Sequence, residues 1–444
     1  MKFEELNLNK QLLAALNDLG YVHPTTIQQK AFSVIMSGRD VVGIAQTGTG
    51  KTLAYLLPML RQWEFSKDRS PKIIVMVPTR ELVMQVVETA QKLSAYMTIT
   101  VKGVYGGTNI RTQMAHINEG VDLLVATPGR LLDLILNGTV NLKLVKRLVI
   151  DEVDEMLSIG FSYQLSTILN LMPPRRQNLL FSATITPEVE NLMNDYFNTP
   201  QRIEAAPVGT PLASINQQGY ELPNFYTKVN LLRLLLRDEN MSKVLVFAVT
   251  KKLADELYQE ISADFPAQIG VIHANKSQNV RFEMVRKFQD GSCRVLIATD
   301  LIARGLDVAE VTHVINFDTP DEPENYIHRI GRTGRADRRG EAISFITPKE
   351  TPYREAIESL MRMQIPIFAL PAELGISEQL TPDEMPKLNM PNIHEKFKLK
   401  KNTGAFQEKA EWNVKENNHM TRAEKMKLKY GKPKTRGQKK KGKK

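Results

Sequence analysis

The sequence predicts an α/β fold of two tandem domains, each a parallel sheet flanked by helices, followed by a disordered basic tail. Three observations carry that prediction. Short β-branched apolar runs alternate with stretches of helical period. The alternation occurs twice, on either side of a Pro/Gly/Ser-containing stretch with little periodicity. The last fifty residues are Lys-rich and poor in aromatics.

Taken in order, the first series of runs is 41–44 (VVGI), 72–78 (KIIVMVP), 121–128 (VDLLVATP), 148–151 (LVID) and 178–184 (NLLFSAT). It places a first domain at residues 1–205. Residues 206–217 suit an interdomain linker. The second series is 243–250 (KVLVFAVT), 269–274 (IGVIHA), 294–300 (RVLIATD), 313–318 (HVINFD) and 342–348 (AISFITP), giving a second domain at 218–365. Residues 366–444 read as a connector, with prolines at 366, 371, 382, 386 and 391 that discourage long helices and central strands, and then as the tail.

Composition excludes several classes. With 42% hydrophobic and 24% charged residues the chain can bury two cores, so it is not wholly disordered. Cys293 is the single cysteine, which rules out an internal disulfide and points to a reducing, cytoplasmic home. No run of about 18 apolar residues exists, so no membrane span is expected. The formal charge of +10 is uneven: residues 395–444 carry +13 and residues 1–394 carry −3. Any nucleic acid held by the folded part must therefore be held by locally placed groups.

Residues 45–52 read AQTGTGKT between an apolar run and a helical pattern, the setting of a phosphate-binding loop. Gly48, Thr49 and Gly50 would let backbone N–H groups approach phosphates, Lys51 would supply a point charge, and Thr52 would offer a hydroxyl to Mg²⁺. Ala45 stands where the general pattern has Gly. About a hundred residues on, the run 148–150 ends in Asp151-Glu152-Val153-Asp154. A carboxylate at the end of a parallel strand can hold the metal and its neighbour can deprotonate a water, so Asp151 is assigned to Mg²⁺ and Glu152 to the water.

Together these motifs resemble the DEAD-box RNA helicases, with Val153 in place of the usual alanine. The resemblance covers residues 3 to 350 and implies two RecA-like domains, ATP as substrate with Mg²⁺, and single-stranded and duplex RNA as partners. Residues 20–28 (GYVHPTTIQ) resemble the Q motif, in which Gln28 would read adenine and Tyr21 would stack on it. Ser182-Ala183-Thr184, by itself a helix N-cap, resembles the motif linking hydrolysis to RNA; Ser182, Thr184, Asp154 and His328 are the coupling candidates. Residues 328–335 (HRIGRTGR) would by themselves equally suit RNA phosphates. By resemblance Arg332 and Arg335 are arginine fingers, with His328 and Arg329 at the domain interface. Residues 298–307 (ATDLIARGLD) imply RNA contact by Thr299 and nucleotide contact by Gly305 and Asp307. The resemblance also implies sequence-independent RNA contacts by Arg80, Gly107, Thr127, Arg130 and Arg281, with Ala274 departing from the family's His-Gly.

Hydrolysis is expected to need domain closure, since the fingers and Lys51 lie in different domains. KSQ at 276–278 and the basic tail resemble the bacterial RhlE-like branch. A DNA helicase on the same engine, or an ATP-gated RNA clamp, would use the same motifs. Ribosomal precursors and mRNA-decay factors are the partners such an enzyme would meet.

Overall fold

The computed structural model describes residues 1–46, 48–204, 214–300, 311–334, 339–385 and 422–431. Seven strands form the first sheet: β1 (Val41–Ile44), β2 (Ile73–Met76), β3 (Val101–Val104), β4 (Leu123–Ala126), β5 (Arg147–Asp151), β6 (Gln177–Ser182) and β7 (Gln201–Glu204). All are parallel, in the order β3-β4-β2-β5-β6-β1-β7. Six more form a second parallel sheet: β8 (Ile215–Glu221), β9 (Val244–Phe247), β10 (Ile269–Ile272), β11 (Val295–Ala298), β12 (His313–Asn316) and β13 (Gly340–Ile346), in the order β10-β11-β9-β12-β13-β8.

The central strands are buried on both faces because helices cover both, which is why their sequences are continuous Val/Ile/Leu runs. Each sheet accordingly separates apolar clusters on its two faces. Every strand of a parallel sheet ends on the same side, so the loops leaving β1, β2, β4, β5 and β6 gather along one edge of the first domain. Val153, the departure from the family's alanine, is fully buried in the core beneath that edge.

Three strands do not announce themselves in the sequence. β3 is VKGV: Lys102 is buried only because its ammonium donates to the His116 carbonyl (2.6 Å) and Glu119 (2.9 Å), and Gly103 admits Val83 and Val87 where a Cβ would stand within 2.9 Å. β8 and β7 are polar edge strands; in β8 the buried Gln217 accepts from the Tyr326 hydroxyl at 2.8 Å.

Residues 366–385 contain neither a helix nor a strand of their own, yet they pack on the second domain. Ile367 bridges to Gly219 at the β8 edge, the Asn224 side chain donates to the Ser377 carbonyl, and Glu384 accepts the Phe225 N–H at 2.7 Å. Within the tail, expected to lack structure, Arg422–Tyr430 is a helix. Its Ala, Glu, Lys, Met and Leu content favours helix, and Glu424 in the first turn with Lys427 and Lys429 in the last complements the helix dipole. Among the described residues no helix is long and apolar enough to cross a membrane.

Candidate functional site: a nucleotide cleft and an RNA edge

The loop after β1 turns through Gly48 (φ +81°) and Gly50 (φ +87°), a region that L side chains avoid. Gly50 is required twice over, because a Cβ there would lie 2.4 Å from the Gln28 amide nitrogen. Gln28 donates to the Gly50 carbonyl (3.1 Å) and accepts from the Thr25 N–H (2.9 Å), tying the loop to the helix Thr26–Met36. A primary amide has two donors and two lone pairs, so this clamp leaves one of each for a nucleobase edge. Tyr21 is half-exposed nearby in sequence. Ala45 departs from the glycine pattern without strain: its N–H donates to the Ser182 carbonyl (3.0 Å) and its methyl joins the core. Thr49 donates to the Gln46 carbonyl at 2.7 Å.

Lys51 opens the helix Lys51–Arg61, which also carries Thr52. Only 6% of Lys51 is exposed, and among the described residues its ammonium has no hydrogen-bond acceptor. A desolvated ammonium with no hydrogen-bond acceptor, countered only through space by neighbouring carboxylates, is better satisfied when an anion arrives.

β5 delivers Asp151, and the chain then passes through Glu152 at φ +54°, a strained conformation for a non-glycine residue. This turn starts the helix Val153–Ser158 and packs three carboxylates together. Burial pushes Asp151 and Glu152 above the usual carboxylate range; Lys51 pulls both back, and Arg332 acts further on Glu152. Burial opposes the charge of Asp154 as well, but His328, Lys51 and Thr184 outweigh it and hold this group low. The Asp154 carboxylate accepts the Thr184 N–H (3.0 Å) and hydroxyl (2.8 Å) and lies 3.8 Å from His328 Nε2. Ser182, at the end of β6, also favours the charged form of Asp154.

His328 and Arg332 belong to the second domain, so the cleft is built by both sheets. Arg335, Gly305 and Asp307 lie outside the described residues. Arg329 does not face the interface that its motif suggests. It is 1% exposed and turned into its own domain, donating to both Asp300 oxygens (2.6 and 2.7 Å), to Asn316 (3.3 Å) and to the Asp318 carbonyl (2.6 Å), with its guanidinium 5.0 Å from the Phe247 ring centre. Asp300 follows Thr299, so Arg329 pins the turn that leaves β11.

Along the same edge Arg80 opens the helix Arg80–Leu93 and lies over Gly107 (φ +77°), where a Cβ would stand 2.1 Å from its guanidinium. Arg80 donates to Gln278 (2.9 Å), Gln278 to Glu81 (3.2 Å), and Glu81 pairs with Arg281 at 3.2 Å, which joins the two domains by a polar quartet. Arg130 is engaged within the first domain, donating to Gln113 (2.7 Å) and the Thr108 carbonyl (2.9 Å), and so holds the turn beyond Gly107. Thr127 starts the helix Pro128–Leu136. The structure thus brings Arg80, Gly107 and Arg281 together and braces them through Arg130. Glu81, Gln278, Gln113 and the buried face of Arg329 went unassigned from sequence, although Glu81 adjoins Arg80 and Gln278 ends the KSQ stretch.

Residues 25–192 match the DEAD/DEAH box helicase family and residues 227–337 the helicase conserved C-terminal domain. The ATP-dependent RNA helicase CshA of Limosilactobacillus reuteri is 39% identical over 82% of this chain and 73% of its own length. The ATP-dependent RNA helicase RhlB of Shewanella frigidimarina is 35% identical over 82% of this chain and 86% of its own. Among solved structures, S. cerevisiae Dbp5 bound to RNA and ADP BeF3 superposes with a TM-score of 0.76 at 29% identity, covering 82% of this chain and 95% of that one. A cleft lined by a phosphate loop and buried carboxylates, closed by an arginine from a second RecA-like domain, agrees with those matches. The chain belongs to the DEAD-box family of ATP-dependent RNA helicases, enzymes that couple ATP hydrolysis to the binding and unwinding of RNA.

Proposed function

We propose that ATP is bound and cleaved between the two domains. Gly48, Thr49, Gly50 and Lys51 hold the phosphates, Glu152 takes a proton from the attacking water, and Arg332 and Arg335 stabilise charge on the γ-phosphate. Tyr21 and Gln28 receive the adenine, and Gly305 and Asp307 the ribose and phosphates. The observation that carries this reading is the Lys51 ammonium, buried without an acceptor among the described residues, across from carboxylates whose charge burial disfavours. Phosphate answers the first and a divalent cation the second. Thr52 and Asp151 are hard oxygen donors of the kind Mg²⁺ takes, and the bound ion would neutralise charge on the phosphate oxygens.

Single-stranded RNA crosses both domains at Arg80, Gly107, Thr127, Arg130, Arg281 and Thr299, contacted through its sugar–phosphate chain. Asp154, Ser182, Thr184 and His328 link that track to hydrolysis, and the hydrogen-bonded Asp154–Thr184 pair beside His328 supports the link. The working units are the first domain at 1–205 and the second domain read at 218–365. That reading is widened at both ends, because β8 begins at Ile215 inside the stretch 206–217 and residues 366–385 of the extension 366–444 pack on the second domain. We place the enzyme in the cytoplasm, in the RhlE-like branch suggested by KSQ at 276–278 and the basic tail, acting on ribosomal precursors or in mRNA decay. ATP turnover by the whole chain, with and without single-stranded RNA or matched DNA, tests the proposal. Stimulation by RNA that is lost in Lys51→Ala supports it, and turnover indifferent to RNA would overturn it.

A further inference from the structure

Residues 1–394 carry a net charge of −3, so a one-sign cluster on the folded surface does not follow from composition. One exists at the end of the first sheet opposite the cleft. Just before β1, β5 and β6, three adjacent strands, stand Arg39, Lys143, Lys146, Arg175 and Arg176. Their backbones are side by side: the Gln177 N–H donates to the Lys146 carbonyl (2.9 Å), and its side chain donates to the Arg39 carbonyl (2.7 Å). Arg39, Lys143, Lys146 and Arg175 are exposed, and among the described residues none of the four has an ion-pair partner.

Two carboxylates border the rim: the charge of Asp40 acts on Arg176 and that of Glu64 on Arg147, which leaves Arg39, Lys143, Lys146 and Arg175 as its open cations. Asp40 is buried and saturated by the Asn178 N–H (2.7 Å), the Asn178 side chain (3.2 Å) and the Asn198 N–H (2.9 Å). Arg176 beside it is half-buried and donates to Asn178 (2.7 Å) and the Pro173 carbonyl (2.8 Å). Beside the starts of β1 and β6 lies an open groove of about 540 Å³ walled by Arg39, Asp40, Arg176, Asn178, Tyr196 and Asn198. Its walls are amides, guanidinium groups, one aromatic ring and the Asp40 carboxylate, whose lone pairs are taken by Asn178 and Asn198, with little aliphatic surface to hold an apolar partner. Charged and hydrogen-bonding groups of this kind suit phosphodiester and sugar.

Distance selects the occupant. β5 runs from Arg147 at the rim to Asp151 at the cleft, so Lys146 lies roughly 17 Å from Asp151 at about 3.3 Å per residue. An RNA lying on the edge at Arg80 and Arg281 reaches the rim only by passing round the domain, so the rim suits a long flank and not the segment in the track. We infer that this rim is a second, sequence-independent RNA site, taking the phosphate backbone of the substrate segment that flanks the one in the cleft. The inference rests on the RNA track proposed above.

The test uses the full chain carrying Arg39→Gln, Lys146→Gln and Arg175→Gln together. Binding is measured to a single strand of about eight nucleotides, enough for one site, and to a stem-loop with a single-stranded flank of about forty, between roughly 50 and 200 mM salt. Affinity for the long RNA should fall about tenfold at low salt, and its log–log salt slope should become shallower by about two, because three phosphate contacts are lost. Short-RNA affinity and RNA-free ATP turnover should stay within about twofold. An unchanged long-RNA affinity and slope would overturn the inference and leave an acidic protein surface as the rim's partner. Equal losses for both RNAs would overturn it too, since the effect would then run through the cleft. Arg80→Ala separates the two readings. If it fails to weaken the short RNA, the track at the cleft is misassigned, while the rim is still judged by the long RNA against its triple variant.

Discussion

Replacing Gly107 with alanine should damage RNA binding chiefly through Arg80, the group that a Cβ there would meet. Two costs follow from the structure. At φ +77° an alanine is strained by about 1 kcal/mol, paid in both free and bound enzyme. The new Cβ would also stand 2.1 Å from the Arg80 guanidinium, which is the free end of a flexible side chain and will move aside. Moving it breaks the hydrogen bond to Gln278 and shifts the charge from the RNA edge. A charge-assisted bond across the domain interface contributes about 2 kcal/mol, which predicts a rise of roughly thirtyfold in the RNA concentration for half-maximal ATPase stimulation. Gly106→Ala is the internal control: no atom lies within 4 Å of a Cβ there and its φ is ordinary, so it should change little. Arg80→Ala combined with Gly107→Ala should be no worse than Arg80→Ala alone. A Gly107→Ala enzyme within twofold of the parent, or a Gly106→Ala enzyme equally impaired, would refute this reasoning.

Gly50→Ala meets both a strained φ of +87° and the Gln28 amide at 2.4 Å, so ATP binding should weaken by at least about tenfold, as read by fluorescent-nucleotide titration, with far-UV circular dichroism unchanged. Cys293 is buried and its thiol is pushed up to about 11, chiefly by burial, so iodoacetamide at neutral pH should label it only after the second domain unfolds. Arg329→Lys leaves Asn316 and the Asp318 carbonyl short of donors and replaces a two-point grip on Asp300 by one, a loss of about 3 kcal/mol. Cys293 should then become reactive at distinctly lower urea, while the fluorescence of Trp63 in the first domain keeps its midpoint; unchanged labelling would contradict the role given to Arg329.

Ten of the thirteen strands among the described residues stand in the sequence as apolar runs, because a parallel strand covered on both faces must be apolar throughout. β3, β7 and β8 were hidden for reasons the structure supplies. Lys102 and Gln217 are buried by finding specific partners, and edge strands need only one apolar face. The nucleotide loop was legible because glycine spacing and a following lysine are requirements of close backbone approach. Arg329 was misjudged because four hydrogen bonds to Asp300, Asn316 and Asp318 decide its direction, and none of those partners lies within ten residues of it. Glu81 and Gln278 were passed over for a related reason: their meaning appears only when two helix starts almost two hundred residues apart face each other.

The central claim is that one active site is shared by two domains. The most direct measurement is RNA-stimulated ATP hydrolysis by Arg332→Ala alongside ATP affinity measured without RNA. Arg332 is 5% exposed and its charge acts on Glu152 from the other domain. The account predicts ATP affinity within about threefold of the parent and stimulated turnover reduced by about a thousandfold, the scale of an arginine finger. Turnover that survives the substitution would mean that the first domain hydrolyses ATP alone, and the shared site would have to be abandoned.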